Sequence, residues 1–371
     1  MSASPNAPRI AIVHDWLTGM RGGEKVLEVL CGIYPDAELF TLVHTRGSVS
    51  PAIERVGIQA SFLNRIPGIH RYYRQCLLLF PFAIEQFDLD RFDLILSTSH
   101  CAAKAIVRPG RARHFCYCHT PMRYVWDQRQ VYFGPERLGA VRSRLLRPVL
   151  AGLARWDQKT AGRVDRFVAN SRHVADRIRR YYNRGAIVVY PPVDTAFYTP
   201  LGVEPSAYFL IVSALSPYKR IDLAIEATAR AGVPLKIAGT GPDRTRLEAL
   251  AGDHVEFLGA VTNDQLRDLY RRAAGVLLPG EEDFGIAPVE AQACGRPVVA
   301  LARGGALDTI SDGVTGVLVS DPSPAAFADG IDRLQRTRFD PVAIRAHAAR
   351  FGREHFVEKI QGAINELLAA T

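Results

Sequence analysis

Residues 275–300 read GVLLPGEEDFGIAPVEAQACGRPVVA, and they contain one complete unit of an α/β fold. The apolar run Gly275–Leu278 has the character of a strand buried on both faces of a parallel sheet. A polar loop follows, then a helix with Pro288 in its first turn and Gly295 at the position just past its end. Val298–Ala300 supplies the next strand. The loop therefore leaves the carboxyl end of a strand, where open α/β sheets take up ligands. The amides of Phe284, Gly285 and Ile286 lie at or before the helix start, free to donate to an anion. Gly285 has no side chain to hold a diphosphate off that backbone. Glu282 stands upstream of the amides and Glu290 is expected inside the first turn. A diphosphate between them places a sugar near one carboxylate and a ribose near the other. Ionised carboxylates only accept hydrogen bonds and can grip two vicinal hydroxyls at once. Taken singly, Glu282 also suits a surface loop, and Glu290 an acid favoured by the helix dipole.

The same alternation runs through most of the 371 residues. Apolar runs at Arg9–Val13, Leu94–Ser97, His114–Cys118, Phe167–Ala169 and Ile187–Tyr190 predict one set of strands. Tyr208–Ser213, Leu235–Ala238, Val255–Leu258, Gly275–Leu278, Val298–Ala300 and Gly316–Val319 predict a second. Helical patterns lie between them, among them Glu24–Ile33, Arg220–Ala231 and Gln265–Ala273. The fold class is α/β, doubly wound and present twice. The stretch 191–205, PPVDTAFYTPLGVEP, has no sustained period and reads as an extended connector. The expected organisation is an N-terminal domain over 1–195 and a C-terminal domain over 206–352. A last helix over 353–371 can cross back to the first domain, although nothing in its own sequence requires it.

A hydrophobic content of 48% and a charged content of 23% are ordinary for a globular protein. The first ten residues, MSASPNAPRI, lack the apolar run of a secretory leader. The apolar stretch Cys76–Ile84 is too short to span a bilayer and is broken by Pro81. Cysteines at 31, 76, 101, 116, 118 and 294 show no disulfide-scaffold pattern, which predicts a cytoplasmic setting. The net charge of +8 is uneven: residues 1–195 carry 28 Lys and Arg against 16 Asp and Glu, and residues 196–371 carry 18 against 22. A basic first half suits an anionic partner, either a phospholipid surface or a pyrophosphate-linked substrate, or else a solvated Arg-rich face. No recognition helix, zinc-finger spacing or aromatic RNA-binding pattern supports nucleic acid. Arg137–Arg155, RLGAVRSRLLRPVLAGLAR, spaces its leucines and valines helically between arginines, and Pro148 predicts two short helices there. The segment fits an anionic membrane surface or an ordinary helix packed on the core.

Other positions carry candidate chemistry. Lys219, in SALSPYKRIDLAIEA (213–227), falls at a strand-to-helix turn where an ammonium can meet a phosphate, and Arg220 follows it. Gly22 and Gly23 precede a helix expected to begin at Glu24. They allow close backbone approach to a phosphate or sugar, or simply a tight turn. His119 ends the strand His114–Cys118, opens the loop CHTPMRYVW, and is expected to face a cleft between the domains. Alternation puts His114, Cys116 and Cys118 on one face, spaced too regularly to converge on zinc. Gly239-Thr-Gly241 is not a dinucleotide fingerprint, because the third glycine position is Arg244. No Asp-x-Asp is expected where it could hold a divalent ion against a diphosphate.

Two glutamates around Phe-Gly, before Glu-Ala-x-Ala-Cys-Gly-x-Pro-Val-Val, resemble the signature of retaining glycosyltransferases of family 4, which have the GT-B fold. The matching residues are Glu282, Phe284, Gly285, Glu290, Ala291, Ala293, Cys294, Gly295, Pro297, Val298 and Val299. The resemblance spans nearly the whole chain and is strongest over Ser213–Val299. It implies two Rossmann-like domains facing each other across a cleft, with a nucleotide-sugar donor on the second. It gives Glu282 and His119 to the donor sugar and Glu290 to the ribose. It also implies two cations on the diphosphate, Lys219 and an Arg five or six residues earlier. That earlier position holds Ser213 or Ala214 here, which leaves Arg220 as the candidate substitute. Gly239-Thr-Gly241, Asn170-Ser171 and Pro-Pro-Val-Asp at 191–194 also follow the family pattern.

In the first domain, VHDWLTGMRGGEKVLE (13–28) and CYCHTPMRYVWD (116–127) are similar to a bacterial mannosyltransferase subgroup that builds surface polysaccharides and lipid-linked glycans. That implies GDP-mannose as donor, a glycan or lipid-linked acceptor, and work at the inner face of the cell membrane without a cofactor or essential metal. A GT-B-fold epimerase or phosphorylase, or a sugar-nucleotide-binding subunit without turnover, remain alternatives.

Overall fold

Seven parallel strands build the first sheet: β1 (Ile10–Leu17), β2 (Glu38–His44), β3 (Gly57–Ala60), β4 (Leu94–Ser99), β5 (Arg113–Cys118), β6 (Arg166–Ala169) and β7 (Ala186–Val188). Six more build the second: β8 (Phe209–Val212), β9 (Leu235–Ala238), β10 (Val255–Gly259), β11 (Gly275–Leu278), β12 (Val298–Leu301) and β13 (Gly316–Val319). Their orders are β3-β2-β1-β4-β5-β6-β7 and β10-β9-β8-β11-β12-β13. Each order reverses once, between β1 and β4 and between β8 and β11, as in a doubly wound fold. This is a computed structural model, and it describes residues 8–370. Most of the stretch read for a secretory leader lies outside the described residues. The chain divides into two units, Pro191–His355 and the remainder.

In the first unit, alternate residues of β1 serve opposite faces of the sheet. Ala11 and Val13 pack with Phe40 and Ile95, while Ile12 packs with Leu39, Leu94 and Leu96. The second face is covered by the helix Gly22–Ile33, through Val26, Leu27 and Leu30, and by the helix Arg353–Ala369. Phe356, Ile360, Ala363, Ile364 and Leu367 of that last helix complete the core. In the second unit the helices Ile221–Ala231 and Pro324–Arg336 cover Phe209, Ile211, Leu235, Leu277, Val299 and Val317.

Three sequence expectations need correction. β2 and β3 escaped notice: β3 is a half-exposed edge strand without an apolar run, and ELFTLVH puts polar residues inside and at both ends of β2. The segment around Pro148 is one helix, Ala140–Thr160, rather than two. Pro148 deprives the Arg144 carbonyl of its partner, but both residues are exposed, so that carbonyl faces solvent and the helix can continue. The stretch 191–205 is less free than an extended connector. The Arg271 guanidinium donates to the Thr199 carbonyl (2.6 Å), Arg345 to the Tyr198 carbonyl (3.1 Å) and Arg296 to the Val203 carbonyl (2.9 Å). Tyr198 is buried as a result.

Candidate functional site

In the second unit the candidate residues gather where the strand order reverses. The loops after β8, β9, β11 and β12 meet at the carboxyl edge of the sheet with backbone against backbone. A Cβ on Gly280 would lie 2.8 Å from the Lys219 carbonyl oxygen and 2.9 Å from Lys219 Cα. One on Gly241 would lie 2.7 Å from the Leu215 nitrogen, and Gly239 abuts Ser213 in the same way. Gly304 and Gly305 sit against the backbone of Glu282 and Phe284, and the Gly305 amide donates to the Glu282 carbonyl (2.8 Å). Glycine is the residue that permits such approach. Gly280, Gly304 and Gly305 were not singled out in the sequence; the Arg-Gly-Gly at 303–305, following a strand, was the available signal.

This packing brings Lys219 and Glu282 together. Lys219 closes the 3-10 turn Pro217–Lys219 after β8, Glu282 lies in the loop after β11, and the two side chains form an ion pair. A cation and a carboxylate thus straddle the switch point. Arg220 caps the helix Ile221–Ala231 in the left-handed conformation (φ 53°, ψ 37°), which costs a residue with a Cβ about 1–2 kcal/mol. Its guanidinium turns to Asp222 (3.6 Å) and is nearly half exposed.

The helix after the β11 loop runs Ile286–Ala293, capped by Gly285 at φ 89°, a conformation that favours glycine. The amides at Gly285 and Ile286 therefore open the helix. The Phe284 ring is buried against Phe351, with centroids 5.6 Å apart, so only its backbone can serve a ligand. Glu290 is the fifth helical residue, beyond the first turn where the sequence placed it, and it is 3% exposed. The Tyr270 hydroxyl donates to its Oε2 (3.0 Å), and Tyr198 also hydrogen-bonds it. Burial first, then the charge of Glu290, pushes both phenols well above their ordinary range. Two donors thus fix the orientation of this carboxylate.

In the first unit, Gly22 and Gly23 belong to the first turn of their helix and do not precede it. Glu24 accepts from the Arg21 amide (3.0 Å), which fixes that start. A Cβ on Gly23 would lie 3.5 Å from His119 Nε2 and 3.6 Å from His14 Cε1, so the structure brings Gly23 and His119 together. The buried Nε2 of His119 has no hydrogen-bond partner among the described residues, while that of His14 lies 3.9 Å from the Glu24 carboxylate. Burial, then His100 and His14, hold the His119 imidazole down to about 3, so it is neutral at ordinary pH. Burial likewise holds His100 at about 3. Asp15, inside β1 two residues before its end, has no signal in the sequence. It is fully buried and accepts the amides of His100 (2.7 Å), Cys101 (3.0 Å), Ala102 (2.5 Å) and Ala103 (2.8 Å). It fixes the loop after β4 beneath the histidines.

His114 of the His114-x-Cys116-x-Cys118 run has both nitrogens engaged, by Ser97 Oγ (2.8 Å) and the Arg163 carbonyl (3.1 Å). Among the described residues no group of three or more His, Cys, Asp or Glu side chains is placed to hold a metal ion. Asp88-Leu-Asp90 lies ahead of β4, at the opposite edge of its sheet from the loops that carry candidates.

Residues 21–197 match the Glycosyltransferase Family 4 family and residues 200–354 match Glycosyl transferases group 1. The chain is 31% identical over 310 residues to a D-inositol 3-phosphate glycosyltransferase of Mycobacteroides abscessus, covering 71% of this chain and 69% of the relative. A protein of the same name from Geodermatophilus obscurus is 34% identical over 244 residues, 56% of this chain and 54% of the relative. The chain spans about half the length of the first curated relatives it matches. Among solved structures, sucrose-phosphate synthase from Thermosynechococcus elongatus shares the fold at a TM-score of 0.73 with 19% identity, covering 98% of this chain and 100% of that one. Anabaena HepE, in complex with UDP and glucose, does so at 0.70 with 19% identity, covering 97% and 100%. Two parallel α/β sheets of this order define a GT-B protein. The chain belongs to the family 4 glycosyltransferases.

Proposed function

We propose that this chain transfers a hexose from a nucleoside-diphosphate sugar to a hydroxyl acceptor, with retention at the anomeric carbon. The observation that carries this is the Lys219–Glu282 pair at the β8/β11 switch point, beside the amides that open the helix Ile286–Ala293. Such amides and an ammonium suit the diphosphate, Glu282 the hydroxyls of the sugar, and Glu290 the ribose. In the transfer, the bond from the anomeric carbon to the diphosphate oxygen breaks as the acceptor oxygen bonds to that carbon from the same face. The acceptor proton passes to the departing diphosphate. Lys219, with Arg220 the candidate second cation, stabilises the charge that develops there. Neutral His119, in the first unit, can exchange hydrogen bonds with a sugar hydroxyl without placing a charge beside it.

GDP-mannose is the favoured donor, on the first-domain resemblance at 13–28 and 116–127. The acceptor is a glycan or lipid-linked saccharide; the name of the relatives adds a phosphorylated inositol to the acceptors to test. Incubation of the full chain with GDP-mannose and common UDP-sugars, with and without each acceptor and with EDTA present, tests the reading. Acceptor-dependent release of GDP that survives EDTA is expected. Epimerised sugar, a phosphate-dependent sugar phosphate, or binding without turnover would each replace it.

A further inference from the structure

The helix Ala140–Thr160 turns Ser143, Leu150, Leu153, Asp157 and Thr160 inward. On its other side Val141, Leu145 and Val149 are 73%, 69% and 41% exposed. Residues four apart stack on one face of a helix, so these three make an apolar stripe. The exposed Arg142, Arg144 and Arg155 flank it, whereas Arg147, two residues from both Leu145 and Val149, points to the other side of the helix. Residues 128–156 contain Arg129, Arg137, Arg142, Arg144, Arg147 and Arg155 against the single acid Glu136. Asp157 offers no offset, because it is fully buried and paired with Lys104 (2.9 Å). Arg137, Arg142, Arg144 and Arg147 have no carboxylate partner among the described residues.

We infer that this face docks on an anionic phospholipid bilayer, with the stripe entering the headgroup boundary and the arginines on lipid phosphates. An apolar stripe within an arginine-rich polar face is what an interfacial helix presents. A protein interface would be expected to centre on aromatic anchors, and the stripe has none. The helix lies on the surface without crossing: no helix among the described residues is long and apolar enough to span a membrane.

Sedimentation of the full chain with vesicles tests this without donor or acceptor, so its outcome is independent of the catalytic reading. Vesicles of phosphatidylcholine alone are compared with vesicles containing about one third phosphatidylglycerol. Binding is expected only to the anionic vesicles and should weaken as salt rises. Each arginine near such a surface is worth about fivefold in partition, so Arg142→Ala, Arg144→Ala and Arg155→Ala combined, at the positions that flank the stripe, should lower it by about a hundredfold. Leu145→Asp should also lower it, whereas Val342→Asp, at an equally exposed valine of the second unit, should not. Melting temperatures confirm that these surface variants stay folded. Equal binding to both vesicles, no binding to either, or parent-like partition of the arginine triple or of Leu145→Asp overturns the inference.

Discussion

Glu290, proposed to hold the ribose, has its orientation set by groups on other elements. Its carboxylate is buried, and two tyrosine hydroxyls set its orientation. Glu290→Gln keeps an acceptor oxygen for Tyr270 while turning the other oxygen into a donor. The fold should survive, and a charge-assisted bond to the ribose should be lost. That bond is worth about 1.5–3 kcal/mol, so nucleoside diphosphate affinity should fall about ten- to a hundredfold by calorimetry. Unchanged affinity would remove Glu290 from the nucleotide site. Lys219 and Glu282 raise a different matter, since each is the other's partner. On the proposed reading, a diphosphate arriving at Lys219 exchanges one anion for another and releases the Glu282 carboxylate towards the sugar. With Ser213 or Ala214 where the resemblance implies a second cation, that exchange rests on one ammonium and the helix amides unless Arg220 leaves Asp222.

At the scale of elements, the candidate site of the second unit is a set of four loops that can meet because glycines stand at their contacts. Gly280→Ala places a methyl within 3 Å of the Lys219 backbone, so the β8 and β11 loops must separate. A thermal melt close to the parent's, with donor turnover down by tenfold or more, is expected, since each misplaced ångström is costly in catalysis. Turnover equal to the parent's would show that the close approach is dispensable. The strands behind these loops were legible because burial on both faces leaves continuous apolar runs, as in Leu235–Ala238 and Gly275–Leu278. β3 was not, because an edge strand needs no such run. The placement of Lys219 after β8, of Glu282 after β11 and of Gly285 at the start of the next helix was legible from strand-end spacing. Asp15 and the Tyr198–Tyr270 pair were not, because their partners lie 85–88 and 20–92 residues away in sequence and only folding reveals them. Pro148 misled for a related reason: a proline breaks a helix only where nothing replaces the lost bond.

For the molecule as a whole, histidines that the fold holds neutral should lower stability in acid, His114 from full burial and His100 and His119 from partly buried positions. His100 and His119 are held at about 3 and His114 at about 4, chiefly by burial. In the unfolded chain they take up protons near 6.5. The unfolded state therefore binds more protons as pH falls from about 6.5 towards 4, and folding stability must drop through that window. Each histidine contributes up to about 1.4 kcal/mol per pH unit there. Melting temperature should be nearly flat above pH 7 and fall steeply below 6.5; a flat profile down to pH 4.5 would contradict the burial of these rings. The helix Arg353–Ala369 has a consequence of another kind. Its residues 356–367 complete the core of the first unit, yet the whole of the second unit is encoded between them and β7. On the ribosome the first sheet emerges early and waits, with the surface destined for Phe356, Ile360 and Ile364 uncovered, while about 165 further residues are added at roughly 5–20 per second. The half of the protein that is made first is thus the half that finishes folding last, and it is the half that nascent-chain chaperones have most reason to guard.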